Sequence, residues 1–526
     1  MSDALGPLEG LLAGRVVCAP PADYRVEEVD VVVVGGGGAG LAAASAAAAL
    51  GRRVVLLEKN AALGGSTAWS VGSVSASNTA HQRREGIMDC PEHHWEDLAL
   101  FSGPELARDN RELARVLTSN APETFEWLLS TGLRFVGPMP EPPHRRPRMH
   151  NVLPNSKAFP YHLGRHCRKL GVRIELDAKA DALWMEDGRV KGVLATLPGS
   201  RGRVAWRALG GVVLAGGDFS GSPQLKATYA SELVARVDAM NPGSTGEGIV
   251  LGLAAGAVVR NGDHLRGPFL RFVPPANPHW LQRLPPHPLV TELMAWAYRH
   301  VPSSLLRPLL MRFVTTSLAP EAAVFRAGAM LVDLAGRRID LAGRNVHHAV
   351  ADVQERMAYI VFDARAARLF TKWPNFVSTA PGVAYAYLDD YRNTRPDIFH
   401  EAPTVAALAK QLRVDAGTLE ASLQQPADGG VQSHRSTQGP IFALGPAKAY
   451  VVFTNGGLDV SSQLEVLDAN GAPIQGLYAA GSNGQGGLLL EGHGHHLMWA
   501  FASGRVAGRN CAYASTSAVQ ATQQSD

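Results

Sequence analysis

Cysteine is scarce in this chain: four in 526 residues, Cys18, Cys90, Cys167 and Cys511, all far apart. None forms a CxxC, CxxCH or zinc-type spacing, which leaves a disulfide framework, a c-type haem, an iron–sulfur cluster and a dithiol flavin reductase without support. An excess of one charge is missing too. The formal net charge is +3 and the arginines are scattered rather than striped, so a nucleic-acid partner is not implied. No apolar run reaches the length of a membrane span. The N-terminus has no basic segment leading into an apolar one, and a cytoplasmic location is the expectation. A composition of 46% hydrophobic and 18% charged residues is that of an ordinary globular protein, long enough for two or three domains.

What the chain does have is glycine in telling places. Val31-Val32-Val33-Val34 runs into Gly35-x-Gly37-x-x-Gly40, and an alanine-rich stretch comes next. The pattern predicts a buried strand, a tight turn and a helix. Gly35 permits the turn, Gly37 lets backbone N–H groups approach a pyrophosphate, and Gly40 lets the helix lie close on the sheet. The phosphate would then sit at the positive end of the helix dipole. A second apolar run, Val54-Val55-Leu56-Leu57, ends in Glu58, eighteen residues after Gly40. That is where a Rossmann-type site places its ribose-binding carboxylate. Together these features indicate a dinucleotide.

The residues after Glu58 discriminate among dinucleotides. Gly64-Gly65-Ser66-Thr67 places a second glycine turn just past the carboxylate, which an FAD site needs and an NAD site does not. Alone it could be a surface loop. Further strand ends with glycine turns occur at Ala215-Gly216-Gly217 and at Ala479-Ala480-Gly481-Ser482, with Thr245-Gly246-Glu247-Gly248 and Thr454-Asn455-Gly456-Gly457 between them.

In order and spacing these motifs resemble the flavoprotein family of soluble fumarate reductases, 3-ketosteroid dehydrogenases and urocanate reductases. The likeness covers about residues 28–260 and 435–510 well, and the middle in part. It implies an α/β fold, a Rossmann-like FAD-binding domain of the glutathione-reductase type with an inserted α+β cap domain. The expected layout is an extension over 1–26, the FAD domain over 27–260, the cap over 261–435, the second part of the FAD domain over 436–515, and a disordered tail over 516–526. The residues expected to hold FAD are Gly35, Gly37, Gly38, Ala39 and Gly40, then Glu58, Lys59, Gly64, Gly65, Ser66 and Thr67. Ala215, Gly216, Gly217, Gly246, Glu247, Gly481 and Ser482 complete the set, with His496 and Leu497 at the start of the last helix. Ser66 stands where relatives with covalent flavin carry a histidine, so noncovalent FAD is implied.

Within the cap, Gly336-Arg337-Arg338-Ile339 resembles a family turn, and Ala358–Asp363 its following strand. Thr404 to Gln425 reads as a helix pair. Leu289 to Leu318 reads as packed cap helices or, next, as an apolar roof over the substrate entrance. Its alternation of Arg299, Arg307 and Arg312 with Leu and Met also suits an interfacial helix, which makes peripheral membrane contact the lesser expectation.

The resemblance implies hydride transfer between flavin N5 and a carbon β to a carbonyl or carboxylate, with a side chain moving a proton at the α carbon. Here the family pattern breaks. The arginine and histidine that hold dicarboxylates are replaced by Glu491 and by Val452-Phe453, and leucines stand in place of the steroid-enzyme tyrosine. A bare Glu491 would repel a carboxylate. The expected substrate is therefore a neutral, apolar, cyclic molecule, with an FAD-dependent dehydrogenase or ene-reductase as the activity. The expected catalytic residues are His495, His493 and Glu491, with Arg344 in the cap as a proton donor. Arg344 would need a carboxylate relay, because its own pKa is above about 12.

His495 and His496, at a helix start, are expected to be neutral. No metal is expected: Glu491, His493 and His495 offer ligand atoms, but such sites draw ligands from separate elements. A flavin oxidase of a C–O or C–N bond using O2, or a non-catalytic redox-sensing flavoprotein, are the alternatives. The electron acceptor stays open among a quinone, a carrier protein and oxygen.

Overall fold

The computed structural model describes residues 8–277, 283–302, 305–308, 311–312, 315, 320–341, 343–380, 384–425 and 440–523. Its organising element is a nine-stranded sheet. Val31–Val34 of the strand Arg25–Val34 pairs in parallel with Val54–Leu57 on one side and with Gly211–Leu214 on the other. Val212–Leu214 also pairs in parallel with Leu477–Ala479. Residues 31–34 and 54–57 are buried on both faces, which is why they read as unbroken apolar runs rather than as alternating ones. All these strands point the same way, so Gly35, Glu58, Ala215 and Ala480 emerge at one edge. A ligand binds at that edge of an open parallel sheet.

The helix Gly38–Ala49 has no polar face and is buried almost throughout. It can be so because its neighbour, the long helix His495–Gln523, is equally small on the facing side. A Cβ at Gly504 would meet the carbonyl of Ala39, and one at Gly508 the carbonyl of Ala43. Two helices thus approach nearly backbone to backbone, and the contact sets the start of the first beside residues 501–504 of the last.

The residues before 27 do more than cover the surface. Leu8 is fully buried, and Val16–Val17 adds an edge strand against Leu183–Trp184. At the other end the backbone of 516–523, expected as tail, continues the last helix; 524–526 lie outside the described residues.

The cap is built on a five-stranded antiparallel sheet in which Ile441–Tyr450 is central, pairing with Phe269–Phe272, Met357–Asp363 and Phe399–Ala402. Hydrogen bonding therefore carries the cap past the composition break at 435. The expected helix pair is present as Val405–Leu412 and Ala416–Gln424, started by the side chains of Thr404 and Asp415. Of the 289–318 segment, the helix Pro288–His300 is described, with Thr291 and Ala295 turned inward. Residues 303–304, 309–310, 313–314 and 316–318 lie outside the described residues. No described helix is long and apolar enough to cross a membrane.

Candidate active site

The glycine turns converge on one cradle. Gly35 has a φ of +109°, and a Cβ at Gly40 would fall on the Gly35 carbonyl, so neither position admits another residue without strain. Gly37 differs: a Cβ there would meet only the Gly64 carbonyl, at 3.9 Å, so the backbone faces open space. The second glycine turn lies directly against the first. The Gly64 N–H donates to the Gly36 carbonyl at 2.9 Å, and the Gly38 N–H donates to Thr67 Oγ1 at 3.1 Å. Glu58, buried, accepts from the Gly36 N–H at 2.7 Å and from the backbone and side chain of Asn60. Its two oxygens keep spare lone pairs for hydroxyl donors. Asn483, not foreseen from the sequence, accepts from the Gly216 N–H while its own buried Nδ2 has no protein partner. A helix N-terminus, an open glycine backbone, an acceptor carboxylate and an unpaired buried donor suit a dinucleotide.

Other expected contacts serve the walls of the cradle. Lys59 bonds both carboxylate oxygens of Glu247, at 2.8 and 2.9 Å, and also Thr245, joining the second strand end to the Thr245–Gly248 turn. Burial alone would raise Glu247, but the hydrogen bonds from Lys59 and Thr245 hold it below the usual carboxylate value. Ser66 Oγ is bound to Ser244 Oγ and to Asn241 Nδ2.

At the last helix the structure separates the four expected catalytic residues. His493 is 41% exposed, and both its backbone N–H and its Nδ1–H donate to Glu141, the ring bond being 2.7 Å. Its Nε2 is left open. Glu491 pairs with Arg266 at 2.9 Å, each side chain about a third exposed. Arg266 in turn lies over the Phe269 ring, and Phe453 packs on His496 at 4.0 Å between centroids. Glu491 is therefore not the bare charge expected from the sequence: an arginine from the entry to the cap cancels it. Arg344 is not drawn to this cluster. Its partners are Asp352, at 3.0 Å, and the Asp340 carbonyl, on an exposed face.

His495 points away from the surface. Its Nδ1 meets the Glu491 carbonyl, which can only accept, so Nδ1 carries the hydrogen. Its Nε2 must then accept from His144 Nε2, 3.0 Å away, and His144 Nδ1 accepts from Arg148 at 2.8 Å. Both tautomers are determined by the ends of this chain. Arg148 is fully buried between Asp89 and Asp97. Burial pushes His144 down to about 2 and His496 to about 3, and lowers His495 as well. The neutrality expected from the helix dipole has desolvation as its leading cause.

Glu141, His144, Arg148 and Arg266 had no signal in the sequence. They sit in loops and short strands without a motif; Glu141, His144 and Arg266 lie 352, 351 and 225 residues from His493, His495 and Glu491.

The sequence model for an FAD binding domain matches residues 30–489. The chain is 26% identical to the NADH:fumarate oxidoreductase of Klebsiella pneumoniae (strain 342) over 450 residues, covering 82% of this chain and 42% of that protein. It is 26% identical to the urocanate reductase of Eggerthella lenta over 506 residues, covering 92% and 75%. The NADH:acrylate oxidoreductase of Vibrio harveyi matches at 26% identity, over 92% of this chain and 50% of its own. The chain thus spans about half the length of two of these relatives. Among solved structures, the open conformation of a flavocytochrome c3 fumarate reductase superposes with a TM-score of 0.69 at 21% identity, covering 98% of this chain and 81% of that one. A 3-ketosteroid-Δ4-(5α)-dehydrogenase from Rhodococcus jostii RHA1, with 4-androstene-3,17-dione, gives 0.57 at 25% identity, covering 94% and 98%.

Proposed function

The chain belongs to the FAD binding domain family of flavoproteins, with FAD as its cofactor, and on that premise we propose an oxidoreductase acting on a carbon–carbon bond next to a carbonyl. Bound FAD supplies the hydride acceptor or donor. It is held without a covalent link, a reading supported by Ser66, whose hydroxyl is engaged by Asn241 and Ser244. Gly37, Gly38 and the helix behind them take the pyrophosphate, and Glu58 takes the ribose hydroxyls.

The observation that carries the catalytic reading is the Glu141–His493 pair beside the start of the last helix. The carboxylate orients the ring and stabilises it when charged, leaving Nε2 to exchange a proton at the α carbon of the substrate. His495 is excluded from that role because both its nitrogens are engaged inside the protein.

The substrate is a small, neutral, mainly apolar molecule with a ring. The balanced Arg266–Glu491 pair and the aromatic groups Phe269, Phe453 and His496 support this, rather than repulsion by an unpaired Glu491. A second reading, a substrate bearing an acid group, is favoured by Arg271. Its Nε has no hydrogen-bond partner, and burial together with Arg266 brings its pKa down to about 10.

Anaerobic titration of the yellow holoprotein separates the two. Bleaching by saturated cyclic ketones, or reoxidation of the reduced protein by cyclic enones, is expected. Bleaching by succinate, or rapid reoxidation by fumarate, would replace the neutral-substrate reading with the acidic one. Failure of all of them would remove the proposed activity.

A further inference from the structure

Behind the site, three histidines from three separate elements meet in the interior. His94 lies on the helix Pro91–Ser102, His144 on the loop between the strands Arg134–Met139 and Met149–Leu153, and His495 at the start of the last helix. One nitrogen from each lies within 4.8 Å of the other two. His94 and His495 are fully buried, and His144 is 8% exposed. The hydrogen bonds running from Arg148 to the Glu491 carbonyl satisfy His144 and His495. They leave His94 with both ring nitrogens buried and without a hydrogen-bond partner among the described residues. An imidazole stripped of water at both nitrogens is destabilising unless something replaces that water. Nothing in the proposed redox chemistry uses it.

We infer that His94, His144 and His495 form a binding site for a divalent transition-metal ion of the zinc type. Imidazole nitrogens on a tetrahedral ion at about 2.0–2.1 Å stand roughly 3.4 Å apart. That value falls between the 3.0 Å now separating His144 from His495 and the 4.8 Å limit for the trio. The surroundings suit coordination. His495 already presents Nδ1–H to the Glu491 carbonyl, which turns Nε2 toward the centre of the trio. His144 needs its hydrogen on Nδ1, and Asp97 Oδ2 lies 3.8 Å from that atom, ready to accept it in place of the present Arg148 contact.

The charge balance permits a cation. Arg148 is the nearest positive group, and the two buried carboxylates Asp89 and Asp97 both bind it. The exposed Arg145 also pairs with Asp97, and Glu96 with Arg145. Phe101 packs its ring against both His144 and His495, at 4.7 and 5.1 Å, closing the site to bulk water. Three imidazoles leave a fourth position for water. Because the site is internal and its ligands come from positions 94, 144 and 495, the ion clips the helix bearing His94 to the loop that leads into the proposed active site. Its role is to brace that loop, not to react with substrate.

Zinc content of the FAD-loaded full chain, purified after chelator treatment and then given equimolar zinc, tests this. One zinc per chain is expected, with X-ray absorption showing three imidazole ligands at about 2.0 Å. His94→Leu and His144→Gln should each weaken zinc binding more than ~100-fold, while His300→Ala, an exposed histidine elsewhere, should leave it unchanged. Flavin absorbance identifies folded variants, and the wild-type X-ray absorption spectrum stands whether or not a variant folds. A wild-type protein that keeps no zinc, a spectrum without three imidazoles, or loss of zinc in His300→Ala would each overturn the proposal.

Discussion

Glu141 holds His493 at two points, the backbone N–H and the ring Nδ1, although 352 residues separate them in the chain. The double contact orients the imidazole and directs its second nitrogen outward from the start of the last helix. The role proposed for His493 makes it sensitive to both partners. His493→Gln should lower kcat by ~10²–10⁴-fold with flavin content unchanged. Glu141→Gln keeps a hydrogen-bond acceptor but removes the charge, and should cost less. Single-turnover flavin reduction would measure both. An unaffected His493→Gln would remove the residue from the mechanism.

The Arg266–Glu491 pair carries the proposed neutrality of the substrate seat. Arg266→Met leaves Glu491 uncompensated and should raise KM for a neutral enone more than the double substitution Arg266→Met/Glu491→Leu does. The coupling read from the full cycle should be modest, ~0.5–1 kcal/mol, because both side chains are about a third exposed. Arg344 offers the contrast. Its ion pair with Asp352 is about half exposed on both sides, so Arg344→Ala should change kcat/KM less than ~2-fold.

Gly40 tests the cradle. Alanine there would drive a methyl group into the Gly35 carbonyl and push the helix start off the sheet edge. The expected result is a colourless protein, or one whose FAD is lost on gel filtration, with stability lower by ~1–3 kcal/mol. Gly51→Ala is the control for flavin retention: a Cβ there meets nothing within 4 Å, although its φ of +75° imposes local strain.

Mild acid should loosen the fold through its buried histidines. Burial pushes His150 down to about 3, helped by the nearby His81, and His347 down to about 4, helped by His348 and Arg271. Folding therefore favours the neutral forms. Their contribution is complete above the unfolded value of 6.5 and is lost as pH falls from there toward 4 and 3. For the buried His150 the slope is ~1.4 kcal/mol per pH unit. Thermal melts between pH 7 and 5 should show a falling Tm, with a shallower fall in His150→Phe. A flat Tm over that range would contradict the assignment.

The cradle was largely legible in the chain because its signals are local. A run such as Val31–Val34, closed by Gly35 and Gly37, states strand, turn and helix in a dozen neighbouring residues. The second turn at Gly64-Gly65 gained its meaning only with the later glycine turns, and the structure puts its backbone in contact with the first. Glu491 was visible as a departure from its relatives, but its partner was not. Arg266 lies 225 positions away, in a two-residue strand without periodicity or motif. The pairing of Ile441–Tyr450 was hidden for a similar reason. Ile441–Tyr450 looks like any apolar strand, and only its hydrogen bonds to Met357–Asp363 assign it to the cap.

The sequence by itself determined the α/β class, FAD as the cofactor and the family, since each rests on steric and periodic rules acting over a few adjacent residues. Tertiary structure decided which charges face which: Glu141 with His493, Arg266 with Glu491, Arg344 with Asp352, and the three histidines with one another. Electrostatic pairing depends on separation in space and on burial. Neither is set along the chain until the cap and the two halves of the FAD domain have packed together.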